Sequence, residues 1–262
     1  MTSRQAIDFY NSEDLARCGR EELREDIGTV VHWYERCPLH LRQQAVLELG
    51  CGRGPLSSIS PHYVGLDLSL RAIGGTSPRH RGVNGDMEEL PFRTDSVAFI
   101  LSWAAIEHVP NPERVLAEVA RVLAPEGIAV LNPAWHCRSW AAEGLEFRAY
   151  SDLSFFQKLR KAIIPLRNSL LLRAPGEVFS RVRREILLRG GKALEFDYGR
   201  LTPDLERYLG TDSDAFTSLD PHAMIVWFHS RGWRVLSHPT AKSRFLARHE
   251  PVVIQKKART VA

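Results

Sequence analysis

Val46-Leu47-Glu48-Leu49-Gly50-Cys51-Gly52-Arg53-Gly54 is the stretch from which the rest of this chain is read. A short run with the character of a buried strand leads into glycine at every second position. A strand that ends this way can turn sharply, and its backbone can approach a ligand with no Cβ in between. That is a nucleotide-type turn. The dinucleotide fingerprint wants glycine at the first, third and sixth positions. Counted from Gly50, the sixth position is Pro55, so that reading fails at the glycine that packs helix on strand.

Downstream, Tyr63-Val64-Gly65-Leu66-Asp67-Leu68-Ser69 reads as a second strand ending in an acid, with Asp67 17 residues after Gly50. Nucleotide-binding α/β units place a ribose carboxylate at about that distance. An acid after a strand more commonly caps a helix; following a glycine turn, it points to a ribose. Residues 97–102 are almost continuously apolar, as a central parallel strand buried on both faces must be. Asn111-Pro112-Glu113 predicts a capped helix start, with Val115, Leu116, Val119, Val122 and Leu123 on one face. Pro125-Glu126-Gly127 is read as its end and Ile128–Leu131 as the next strand. Upstream, residues 1–40 read as helical, with an apolar stripe of Leu15, Leu23, Ile27, Val30, Val31 and Tyr34. Two placements stay open for it: packed on the sheet, or over the ligand.

Taken together, Glu-Leu-Gly-Cys-Gly-Arg-Gly, Val-Gly-Leu-Asp, Gly-Asp-Met-Glu-Glu-Leu-Pro-Phe, Ile-Glu-His-Val-Pro-Asn-Pro and Arg-Val-Leu-Ala-Pro-Glu-Gly resemble the class I S-adenosylmethionine-dependent methyltransferases of small-molecule type, over residues 44–131. The resemblance implies an α/β fold: a Rossmann-like, seven-stranded, mostly parallel sheet with helices on both faces. It implies S-adenosylmethionine as cofactor, with S-adenosylhomocysteine as product. It assigns Glu48, Gly50, Gly52 and Gly54 to the methionine part, Asp67 to the ribose and Asp86 with Met87 to the adenine, and counts Cys51, a small residue that fits the turn, and Leu68 among the cofactor-binding residues. Ser102 and Trp103 would lend backbone near the cofactor's amino group. Glu126 departs from the family, which has glycine there. Asn132-Pro133-Ala134-Trp135 is set aside as a DNA amino-methyltransferase motif, because it follows the fifth strand and lacks the second proline.

The 262 residues suffice for one α/β domain with a subdomain. The domain reading is a helical segment over 1–40, a cofactor-binding core over 41–135 and 218–262, and a helical, basic insertion over 136–217 read as the acceptor lid. Asp220 is read as a cap, and Trp233–Leu236 and Pro251–Gln255 as the last two strands, which the resemblance implies form an antiparallel hairpin at the sheet edge. Cys18, Cys37, Cys51 and Cys137 form no Cys-x-x-Cys pair, so neither a zinc site nor a disulfide framework is expected. With no apolar leader or spanning run, a cytoplasmic protein is expected. The formal charge is +4, but Lys158–Lys192 holds ten Lys or Arg against Glu177 and Glu185, a net of +8, so the remainder is acidic. Three readings of this basic segment stay open. It is a solvated face, a peripheral contact with the inner membrane surface through 154–192, or, with no recognisable module to support it, an RNA patch.

Methyl transfer is an in-line displacement, so the protein chiefly aligns the reactants. A hydroxyl acceptor gains from a base that takes its proton. His108, after the fourth strand, is the first candidate, against the reading that it only orders its loop. His136, after the fifth strand, is the second, against a packed loop histidine. Asp212 and Asp214 are candidates to hold acceptor hydroxyls or orient a base, against a solvated loop. No metal is expected: the Asp-Ser-Asp stretch lacks the acids and glycine of a calcium loop, and His222 and His229 lack a third ligand. Asp197–Pro203, the Asp-Ser-Asp-Ala stretch and Asp220-Pro221-His222 resemble methyltransferases of bacterial glycan biosynthesis. This implies O-methylation of a sugar, with a lipid carrier as the form that would account for the basic insertion. A quinone-like or other natural-product acceptor, and a non-catalytic binding module, are the alternatives.

Overall fold

The computed structural model describes residues 4–12, 23–74, 81–206, 208–210 and 212–258; Leu15, Cys18 and Thr211 lie outside them. In chain order the helices are α1 (Arg4–Ser12), α2 (Leu23–Tyr34), α3 (Leu70–Gly74), α4 (Pro112–Val122), α5 (Ser139–Ala142), α6 (Phe155–Ala162), α7 (Ile164–Arg167), α8 (Leu170–Arg189), α9 (Pro221–Ser230) and α10 (Ala241–Leu246). The strands are β1 (Ala45–Leu49), β2 (Tyr63–Asp67), β3 (Gly82–Asn84), β4 (Val97–Trp103), β5 (Leu123–Asn132), β6 (Gly199–Arg200), β7 (Thr217–Ser218), β8 (Arg234–Val235) and β9 (Val252–Gln255).

Seven strands form one sheet in the order β3-β2-β1-β4-β5-β9-β8, while β6 and β7 pair separately. The first five are parallel; β9 runs antiparallel to β5, and β8 to β9. The chain winds outward from β1 to β3, then returns to the other side of β1 as β4. Ligands of open α/β sheets bind where the order reverses, outside the carboxyl ends of those two strands. Here that crevice lies between the glycine turn after β1 and the loop after β4.

Apolar residues on the two sheet faces carry the two halves of the core. One face packs α4 and α9 through Val115, Leu116, Val119, Met224, Ile225 and Phe228. The other takes α2 through Val30, with Ile27, Trp33 and Tyr34 against it. Helix α9 is apolar almost all round, and Pro221–Phe228 are buried throughout, because the sheet lies on one side and α8 on the other.

Several expectations need correction. The N-terminal segment, read simply as helical, contains the two helices α1 and α2 among the described residues. Helix α4 stops at Val122 and β5 begins at Leu123, so Pro125-Glu126-Gly127 lies inside a long strand. The ladder to β4 shifts register there, and Glu126 takes φ +64°, the left-handed conformation that glycine adopts readily. Gly127 is fixed by crowding, because a Cβ would stand 2.8 Å from the Ala98 carbonyl. Asn111 makes no side-chain cap; its amide is drawn to Glu88 instead. Pro175-Gly176 does not break the insertion's last helix but lies inside α8, both residues exposed, with an Arg173–Glu177 ion pair spanning them. The two last strands are shorter than expected, and α10 intervenes between them.

Candidate active site

Three left-handed glycines build the turn after β1: Gly50 at φ +70°, Gly52 at +51° and Gly54 at +67°. At Gly50 a Cβ would come within 2.3 Å of Ala105 Cβ, so glycine lets the turn meet the β4 loop. At Gly52 a Cβ would have nothing within 4 Å, so this backbone faces open space. Asp67, at the end of β2, accepts from Gly52 N at 2.8 Å and from Ser69 N at 2.8 Å, which aims its carboxylate across the glycine turn. Leu68 follows it, half-buried, and the Asn84 amide ties both carbonyls to β3.

The loop after β3 is held from the other side. Asp86 accepts from Glu88 N, and the buried Glu88 accepts from Asn111 N at the start of α4. Arg121 of α4 grips the Leu90 and Phe92 carbonyls. Met87 is thereby set over the glycine turn, its Cε 3.6 Å from where a Gly50 Cβ would stand. The Ser102 hydroxyl is buried and donates to the Leu49 carbonyl, so it joins β4 to β1, and Trp103 next to it is half-buried.

Glu48 departs from the expected role in one respect. Its carboxyl is buried and accepts from the Tyr63 hydroxyl, and burial pushes its pKa up to about 8. Cys51 is a buried thiol pushed upward by the same cause, so it is a small packed residue.

A second cluster stands at the carboxyl end of β4. The chain passes through Ala104 at φ +46° into a short 3-10 turn, Ile106–His108. His108 Nδ1 lies 3.4 Å from Asp214 Oδ2, and His108 Nε2 lies 3.5 Å from Glu107 Oε1. Burial pulls the His108 pKa down, but the carboxylates of Asp214, Glu107 and Asp212 outweigh it, and the net shift is upward. Burial raises Glu107, whose Oε2 finds no hydrogen-bond partner among the described residues. Segment 213–219 closes the cluster, because Phe216 N and the Thr217 hydroxyl both donate to the Glu107 carbonyl. Asp212, at φ +65°, is raised by burial and bonded to the Cys137 thiol. Left-handed non-glycine residues store strain, and such strain gathers at functional sites.

The structure thus brings His108, Asp212 and Asp214 together and leaves His136 elsewhere. His136, at φ +60°, bonds to Leu219 through its backbone, and burial lowers its pKa. Its charged neighbours are Asp220, Glu177, Arg181 and Arg173, which belong to the α8–α9 contact. His222 is also structural: fully buried, 3.2 Å from Glu185, with burial lowering its pKa to about 4.

Two residues of this cluster escaped the sequence reading. Tyr10 of α1 donates to Asp214 Oδ2 at 3.2 Å and stands edge-on to the His108 ring. One residue on, Asn11 accepts from the Ser69 hydroxyl at 3.4 Å, beside Asp67. Helix α1 therefore bridges the crevice, while α2 packs on the sheet. The only sequence signal for α1 was Ala6, Phe9 and Tyr10 at helical spacing. Glu107 lay unremarked inside a quoted motif.

These residues fit S-adenosylmethionine. The glycine backbone is open at Gly52, and Asp67 offers a carboxylate of the kind that accepts from both ribose hydroxyls. Asp86 and Met87 frame the third side. The family described as "Methyltransferase domain" matches residues 47–131, which carry all of these elements except α1 and the 212–214 loop. Over that stretch the chain resembles the class I S-adenosylmethionine-dependent methyltransferases. A phthiotriol/phenolphthiotriol dimycocerosates methyltransferase 1 of Mycobacterium ulcerans is 34% identical over 129 residues, 43% of this chain and 48% of that protein. Its counterpart in Mycobacterium tuberculosis is 38% identical over 112 residues, 37% of this chain and 42% of that protein. The chain thus spans about half the length of the curated relatives it matches. A solved structure of a proposed S-adenosylmethionine-dependent methyltransferase from Listeria monocytogenes aligns over 88% of this chain and 99% of that one, at 14% identity and a TM-score of 0.48.

Proposed function

We propose that this methyltransferase transfers a methyl group to a hydroxyl of a lipid or lipid-linked acceptor, a lipid-borne sugar included, with His108 taking the hydroxyl proton. The observation that carries the reading is the placement of His108 at the carboxyl end of β4, between the carboxylates of Asp214 and Glu107. When bound, S-adenosylmethionine supplies a methyl group already activated on a sulfonium. What remains for the chain is alignment and proton removal. In its neutral form His108 accepts the proton, and the adjacent carboxylates stabilise the imidazolium that results. Tyr10 fixes Asp214 from above, so the carboxylate meets the ring rather than water. The acceptor class rests on the two mycobacterial relatives, named for dimycocerosates, which are lipid-related, and on the apolar surface of the insertion.

His108→Gln tests the base. Cofactor binding measured by calorimetry should be retained, while S-adenosylhomocysteine release with a panel of hydroxylated lipids and lipid-linked sugars should fall about 100- to 10,000-fold. A loss under about tenfold would remove His108 from the role of base.

A further inference from the structure

Helix α8 is inside out. Its inward face carries charge: Arg181 and Arg184 are 7% and 8% exposed, and both reach Asp220, the cap of α9, at 2.9 and 2.5 Å. Next to Arg184, Glu185 bonds to His222 and Arg244. The apolar residues point out. Phe179 is 72% exposed and Ile186 60%, with Val182 on the same stripe at four- and three-residue spacing. Helix α6 also exposes apolar side chains, with Phe155 and Phe156 about three-quarters exposed. A helix held only by water on its outer side carries the reverse pattern. Contiguous apolar surface of this kind marks a contact site.

We infer that the outer face of α8 docks on the surface of an anionic lipid membrane. Charge complementarity chooses the occupant. Exposed Arg183, Arg189 and Lys192 stand among the apolar side chains, while the segment's acids, Glu177 and Glu185, are tied to Arg173 and to His222 with Arg244. Apolar groups entering the headgroup boundary beside Lys and Arg are the signature of helices that lie on anionic bilayers. Among the described residues, no helix is long and apolar enough to cross a membrane, so the contact is peripheral. The ion pairs beneath α8 hold the apolar stripe outward without any rearrangement on binding. The inference deepens the lipid-borne acceptor reading, on which its purpose rests, but its geometry is independent of His108.

Flotation of the full chain with phosphatidylcholine vesicles, with and without phosphatidylglycerol, tests it at low and at high salt. Binding should need the anionic lipid and weaken with salt. The double variant Phe179→Glu/Ile186→Glu and the double variant Arg183→Glu/Arg189→Glu should each lose about tenfold or more in affinity. Both change exposed positions, and calorimetric cofactor binding checks that they fold. Absence of binding to anionic vesicles at low salt overturns the inference, as does binding that neither variant alters. A concentration-dependent dimer in sedimentation that Phe179→Glu/Ile186→Glu dissolves, without vesicle binding, would give the face to a second copy of the chain instead. Loss of turnover in His108→Gln leaves flotation untouched, so the two proposals fail separately.

Discussion

Helices α4 and α8 are both amphipathic, and they turn their faces in opposite directions. Helix α4 buries Val115, Leu116, Val119 and Val122 completely and sends Arg114 and Glu118 to the loop over the crevice. Helix α8 buries Arg181 and Arg184 and exposes Phe179 and Ile186. The apolar face of α4 meets a sheet. The charged face of α8 meets the capped start of α9, where Asp220 and the α9 amino end concentrate polar groups. The partner surface, and not the helix's own composition, decides which face goes in.

The sharpest way to break this comparison is to place one acid at matched positions. Val119→Asp buries an unpaired carboxylate and should cost about 3–5 kcal/mol, enough to unfold much of the population. Phe179→Asp should stay within about 0.5 kcal/mol of the parent. Urea unfolding of the two variants decides it, and similar losses would mean that α8 hides its apolar face.

Removing the charge beneath α8 is the next largest change. Asp220→Asn keeps a residue able to cap α9, yet leaves the buried Arg181 without its carboxylate and Arg184 with Asp197 alone; about 3 kcal/mol should be lost. Burial alone would raise the Asp220 pKa, but Arg181 and Arg184 bring it below the ordinary carboxylate range. Its contribution is therefore present above about pH 4 and fades as pH falls through the lower folded value. The gap between parent and variant in thermal melts should close in acid.

The smallest effect belongs to the site. Removing the charge in Asp214→Asn takes away the largest influence that raises His108. With His108 as the proposed base, active in its neutral form, transfer should rise with pH through the His108 pKa, and in the variant that rise should move to lower pH. The plateau rate should fall by less than about tenfold. A pH profile that does not move would detach Asp214 from His108.

The cofactor half was legible because each of its demands is local. Gly50 and Gly52 need φ above zero, Asp67 needs only to follow a strand, and residues 97–102 need burial on both faces. The rest depends on contacts between residues far apart in sequence. Tyr10 reaches Asp214 across 204 positions, and nothing around either residue announces the other. His136 stood at the correct end of the sheet and yet serves the α8–α9 contact. Pro175 reads as a break because tertiary contacts that hold a helix through proline leave no local mark. Glu126 could take a glycine conformation because its side chain remains exposed.

Strand β9 lies between β5 and β8, although its residues are separated from β5 by most of the chain's second half. On a ribosome this order of manufacture matters. From Pro133 through Gln255 there are 123 residues, which take roughly 6–25 s to synthesise at about 5–20 residues per second. Throughout that interval one side of β5 is an unsatisfied row of amides and carbonyls, open to any other nascent strand. Production of the folded enzyme is therefore a race between elongation and association, and holding the chain apart from its neighbours until β9 emerges should raise its soluble yield.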